Sequence, residues 1–323
     1  MVRIIRYIIR NITIFINLIK NHILLSLILL LLPVFFYFKN ILSYINTQLD
    51  EMKNNTKGKI NKIIVFDLDE TLGYFTELSI FWDALEYFYG HNLFDDKFFE
   101  TLDIFPEFFR PDMLNILKFI NNKKKKKICY KTFIYTNNQG AKSWVNMISN
   151  YCDNKLGYKT FDHVIGAYKI RGKQIEPKRT SHDKSVKDLI SCANIKEHTE
   201  FCFIDDLYHP LMDKENVNYI NIKPYRCSIP FDEMANRYYN MVINKKTYNG
   251  PPISQINFEK FIVDFMKQYN YMVLKKGVDE INVDKVVSKK LLSNLDDFLK
   301  KERNTNTRKR RSRQTKTKRN INK

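Results

Sequence analysis

The sequence predicts an α/β protein built on a doubly wound parallel sheet with a small flap or insert, preceded by N-terminal membrane helices and followed by a disordered basic tail. Three observations carry that expectation. Apolar, β-branched and aromatic runs at 62–66, 132–135 and 201–204 each stop abruptly at polar residues, as strands covered on both faces do. Stretches with helical apolar spacing separate them, which is the pattern of parallel crossovers. Residues 21–38 carry no charged side chain apart from a possible charge on His22.

The 323 residues divide by composition into membrane-associated helices at 1–45, a polar linker at 46–60, a globular domain at 61–250, two amphipathic helices at 251–300 and a basic tail at 301–323. A hydrophobic content of 44% is ample for a core, so the formal charge of +19 speaks to partners more than to fold. Much of that charge sits in the tail and in the run Lys123 to Lys127, read here as a solvated loop. The five cysteines are odd in number, widely spaced and lack a Cys-x-x-Cys, which suits reduced thiols and a cytosol-facing domain.

No acidic residue occurs before Asp50. Arg3, Arg6, Arg10, Thr13, Asn17 and Lys20 fall three or four apart, on one narrow stripe of a helix whose remaining surface is mostly apolar. Such a helix lies along an anionic membrane surface or packs against another membrane segment. A cleaved targeting peptide is the alternative, but no small-residue cleavage site follows. The run at 21–38 is roughly 27 Å long as a helix, near the lower limit for spanning, with Lys20 and Lys39 able to snorkel. Pro33 leaves a kinked or hairpin arrangement open, and the similar Lys and Arg counts on the two sides set no orientation.

The first strand of the domain ends in Asp67-Leu68-Asp69-Glu70-Thr71. Two carboxylates at that spacing either project from the mouth of a buried strand, where α/β sheets gather ligands, or form a plain capped turn. The aromatic stretch from Phe81 to Phe109 reads chiefly as core, with some rings able to form a flap. Arg110-Pro111 then opens a helix. The second strand ends in Thr136-Asn137-Asn138-Gln139-Gly140, which offers a hydroxyl and free backbone N–H groups to an anion. Lys178, Lys184 and Lys187 lie near the start of the helix carrying Val186, Leu189, Ile190 and Ala193. A later strand ends in Asp205-Asp206, and His209 just beyond it is assigned no role.

Asp-x-Asp-x-Thr after a hydrophobic strand, Thr136 at a second strand end, a lysine near a helix start and the acid pair Asp205-Asp206 resemble the four motifs of the haloacid dehalogenase (HAD) superfamily. The Arg-Pro element is similar to the FCP/SCP, or NLI-interacting-factor-like, phosphatase branch, although Asn137-Asn138-Gln139 departs from the small residues usual there. The resemblance covers roughly residues 60–225 and implies a HAD-like fold and a phosphoric monoester hydrolase. Asp67 is then the nucleophile, Asp69 the general acid and base, Thr136 and Asn137 phosphate contacts, and Lys184, ranked ahead of Lys187 and Lys178 and placed in the first helical turn, the third-motif cation. Asp67, Asp69 (through its carbonyl), Asp205 and Asp206 are the implied Mg²⁺ ligands. The expected substrate is a phosphoserine or phosphothreonine protein, processed by a membrane-tethered enzyme. A nucleic-acid or small-molecule phosphatase, and a non-catalytic membrane tether or receptor, are the alternatives. The basic tail suits acidic lipid, nucleic acid or a nuclear address.

Overall fold

A computed structural model describes residues 39–43, 46, 61–90, 93, 95–140, 142–195, 199–245, 252–270 and 272–301. The chain divides into two compact units, Met1–Lys59 and Ile60–Lys323. In the first, residues 39–43 are helical. The expected basic-striped helix at 2–20 and membrane segment at 21–38 lie outside the described residues, as does the tail beyond 301. Among the described residues no helix is long and apolar enough to cross a membrane.

The second unit is an α/β domain. Strands β1 (Asn61–Phe66), β2 (Lys131–Tyr135) and β3 (His163–Ile165) are followed by a small antiparallel hairpin, β4 (Lys169–Ile170) and β5 (Lys173–Gln174), and then by β6 (Thr199–Asp205) and β7 (Val217–Asn221). The sheet runs β3-β2-β1-β6-β7 with every pairing parallel. Its order reverses between β1 and β6, so a crevice opens at the carboxyl ends of these two neighbours.

Side chains alternate along the buried strands, and both faces are covered. Ile64, Phe66, Ile134, Cys202 and Ile204 face one apolar layer. Ile63, Val65, Phe133, Tyr135, Phe201 and Phe203 face the other. The first layer holds α1 (Thr76–Tyr89), α2 (Asp95–Ile104), α3 (Met113–Lys125), α4 (Lys142–Leu156), α6 (Phe231–Tyr238), α7 (Gln255–Lys267) and α8 (Val278–Lys300). The second holds α5 (Val186–Ala193), through Leu189 and Cys192. Edge-to-face rings knit the thicker layer: Trp82 against Phe98 at 5.2 Å, Phe98 against Trp144 at 5.3 Å and Phe81 against Phe105 at 5.4 Å. Phe258, Ile262, Leu291, Leu295 and Phe298 join that same core, so α7 and α8 are integral to it.

Three local expectations are corrected. Lys123, Lys124 and Lys125 form the last turn of α3, where Lys123 pairs with Asp296 at 2.8 Å and Lys124 with Asp162 at 2.5 Å, while Lys126 and Lys127 are exposed in the turn that follows, as expected. Cations at a helix C-terminus complement its dipole, and the acidic partners are supplied from elsewhere in the chain. Lys184 precedes α5 and is not in its first turn, because Ser185 is the N-cap and its hydroxyl accepts from Asp188 N. The strand at 217–221 has no counterpart in the sequence reading, since polar Asn218 and Asn221 interrupt its apolar pattern at the sheet edge.

Candidate active site

The end of β1 delivers Asp67, whose N–H still donates to Ile204 O at 2.9 Å, and the end of β6 delivers Asp205. Parallel pairing of Phe66 with Ile204 brings the two carboxylates side by side. Asp206 follows directly, and carboxylate oxygens of Asp67, Asp205 and Asp206 lie within 4.8 Å of one another. Lys184 Nζ lies 2.5 Å from Asp67 Oδ1 and 2.6 Å from Asp205 Oδ2, with its side chain only 2% exposed.

Burial and charge set the protonation preferences. Burial pushes the Asp67 carboxyl up to about 7, against the pull of the Lys184 ammonium. Asp205 also suffers from burial, but its close contact with the Lys184 ammonium, with His209 nearby, holds its carboxyl below the usual range. For Lys184 burial opposes the charge, yet Asp67 and Asp205 together raise its pKa above that of an ordinary lysine. Burial raises the carboxyls of Asp69 and Asp206.

The loop after β1 is braced from several directions. Thr71 Oγ1 donates to Asp206 Oδ1 at 3.1 Å and accepts from Asp206 N at 3.1 Å, coupling the two acidic loops. Arg110, 1% exposed, donates to Thr71 O at 2.7 Å, Glu70 O at 2.6 Å and Lys223 O at 2.8 Å. The Arg-Pro element therefore props the carboxylate loop from beneath, while Arg226 pairs with Glu70 at 3.1 Å on the rim.

The loop after β2 closes the opposite wall. Asn138 donates its side-chain amide to Asp69 Oδ2 at 2.7 Å, accepts from Gly140 N at 2.8 Å, and gives its own N–H to Thr136 Oγ1 at 3.0 Å. Asp67, Asp69, Thr136, Asn137, Lys184, Asp205 and Asp206 thus line one cleft of about 290 Å³. Asn138 also borders a larger cleft of about 740 Å³, whose wall includes Phe75, Trp82, Asp83, Glu86 and Trp144.

The chain matches no family model, no curated protein and no solved structure. The chemistry of the site therefore rests on its own geometry.

Every sequence-derived site residue reaches this cleft, whereas Lys178 and Lys187 are exposed and absent from its lining. Among the described residues the side chains grouped closely enough to hold a metal ion are Asp67, Asp205 and Asp206; the Asp69 carboxylate is engaged by Asn138. Three carboxylates converging from two adjacent strands are a group that could hold a metal ion, and such oxygen donors suit hard divalent cations.

Sequence reasoning missed several neighbours. His209 Nε2 stands 3.4 Å from Asp205 Oδ2, longer than a good hydrogen bond, and Asn138 and Arg179 hold the second loop. Arg179 was visible only as one cation among several between Lys169 and Arg179. Its burial is what distinguishes it, and no local pattern reports burial.

Proposed function

We propose that this chain is a Mg²⁺-dependent phosphoric monoester hydrolase of the HAD type, working through an aspartyl-phosphate, with a phosphoserine or phosphothreonine protein as substrate and a membrane as its site of action. The observation that carries the reaction is the Lys184 ammonium between Asp67 and Asp205 at the mouths of adjacent strands. A carboxylate attacks a phosphate dianion only where fixed positive charge offsets their repulsion, and Lys184 supplies such charge in a buried site.

In this reading a carboxylate oxygen of Asp67 attacks phosphorus as the ester P–O bond breaks, and the electron pair leaves with the ester oxygen. Asp69 transfers its proton to that oxygen. The same group then takes a proton from the water that attacks the aspartyl-phosphate, releasing phosphate and regenerating Asp67. Burial raises the Asp69 carboxyl, the direction a proton donor needs. Thr136 and Asn137 orient the phosphoryl oxygens, and Lys184 offsets the charge that builds on them. Bound Mg²⁺, held by Asp67, Asp205 and Asp206, supplies Lewis-acid stabilisation of the phosphoryl oxygens. Asn138, which donates to Asp69, also borders the larger cleft, and that cleft is where we place the bulky leaving group of a protein substrate.

The test is phosphate release by the full chain across phosphopeptides, nucleotides and 3′-phosphorylated DNA. Mg²⁺-dependent release, abolished by D67N, is the expected result; release that survives in D67N or in excess chelator overturns the mechanism. Preference for DNA or nucleotides replaces the substrate class with a nucleic-acid or small-molecule ester, and inactivity throughout leaves a non-catalytic tether.

A further inference from the structure

Arg179 is 2% exposed and has no carboxylate to pair with among its hydrogen-bond partners. Nη1 donates to Thr136 O at 3.1 Å and to Gly166 O at 2.8 Å. Nη2 donates to Asn137 Oδ1 at 2.8 Å and to His182 O at 3.0 Å. The guanidinium also lies over the Tyr135 ring, 4.9 Å from its centroid, and the Tyr135 hydroxyl in turn accepts from Ser185 N at 3.2 Å. One planar fork thus joins the loop after β2, the loop after β3 and the segment that leads into Lys184. Burying a charge is costly, and the four acceptors around Nη1 and Nη2 offset that cost, although Nε is buried without a hydrogen-bond partner.

The contact with Asn137 has a directional consequence. Guanidinium groups donate only, so Asn137 must turn its carbonyl oxygen toward Arg179. Its two amide N–H donors are then left for the cleft that Asn137 lines together with Thr136 and Lys184. Without the arginine, the amide is free to rotate and present an acceptor to an anion, which repels it.

On the strength of the phosphatase reading above, we propose that Arg179 is the positioning residue of the phosphate-binding wall: it sets Asn137 with its donors toward the transferring phosphoryl group and ties that wall to the approach of Lys184. None of its hydrogen-bond partners is Asp67, Asp205 or Asp206, so its removal should weaken the anion site far more than the cation site.

The experiment is a double-mutant cycle on the full chain with R179M, N137A and the double variant. Calorimetry reads inorganic phosphate binding to the Mg²⁺-saturated protein and, separately, Mg²⁺ binding. R179M should weaken phosphate binding at least tenfold and change Mg²⁺ affinity less than twofold. N137A should weaken phosphate binding in the same direction, and the double variant should bind phosphate no more weakly than R179M alone. R179K should stay close to R179M, because an ammonium has three donors on one nitrogen and cannot replace the four bonds made from two guanidinium nitrogens; if R179M does not fold, R179K takes its place in the cycle. Wild-type phosphate affinity in R179M or R179K, effects that multiply in the double variant, or equal losses of Mg²⁺ and phosphate overturn the assignment. A wild-type chain that binds phosphate but hydrolyses no ester overturns the phosphatase reading, while the binding cycle still judges the clamp.

Discussion

Lys184 Nζ meets Asp67 Oδ1 at 2.5 Å across 117 positions of chain, and it does so from just outside α5. Ser185 caps the helix, while Asp188 accepts from Thr180 N at 3.0 Å and from its hydroxyl at 3.0 Å. These bonds fold the 180–188 segment so that Lys184 enters the cleft and Lys187 faces solvent. K184A should therefore lower turnover by about 10²- to 10³-fold, whereas K187A and K178A should stay within about twofold of wild type. Steady-state kinetics on an aryl phosphate decides; the opposite ranking removes Lys184 from the proposed role.

Asp69 and its partner Asn138 should reveal themselves through the leaving group. D69N cannot protonate a departing oxygen, so its loss of rate should be at least about tenfold milder for a nitrophenyl ester than for an alkyl phosphate. Equal losses on both substrates rule out general-acid catalysis by this residue.

Glu77 should make stability pH-dependent away from the cleft. It is fully buried in α1 and accepts from Ile229 N at 3.2 Å, and burial pushes its carboxyl from the usual 4.5 up to about 8. The native state thus holds a proton that the unfolded chain releases above pH about 4.5. Its stabilising contribution is complete below that value and is lost as pH rises through about 8. Urea unfolding between pH 5 and pH 9 should show that decline, and E77Q should flatten it and gain about 1–3 kcal/mol at the alkaline end. A pH dependence unchanged in E77Q removes Glu77 as its source.

The C-terminal helices should prove inseparable from the domain. Phe258 of α7 is fully buried, stacks on Tyr238 at 5.8 Å and meets Phe88 edge-on at 5.1 Å. F258A should cost about 3–5 kcal/mol in a single cooperative unfolding transition. Two separate transitions in the wild type, with only one of them shifted, are the contrary outcome.

The membrane expectation concerns residues outside the described structure and is tested directly. Residues 1–45 fused to a soluble reporter should enter the membrane fraction and resist alkaline carbonate, since the 21–38 run offers about 18 residues of apolar burial. Extraction by carbonate means that the run does not insert stably.

Much of the domain was legible in the sequence because its signals are local. A buried strand is a short apolar run, and its end is marked by the first residues that prefer water, which is why β1, β2 and β6 and the polar residues at their mouths, Asp67, Thr136 and Asp205, could be placed. The buried face of α5 was likewise readable from Val186, Leu189 and Ile190, although its start, after Lys184, was not. What only the tertiary structure decided was which distant groups meet. Strand order β3-β2-β1-β6-β7 sets Asp67 beside Asp205, and loop closure over the sheet's carboxyl edge selects Lys184, Asn138 and Arg179 from a chain rich in lysine, asparagine and arginine. The same polar residue serves as a solvated charge or a buried clamp according to the acceptors brought around it, and those acceptors lie on other loops, beyond the reach of any local periodicity.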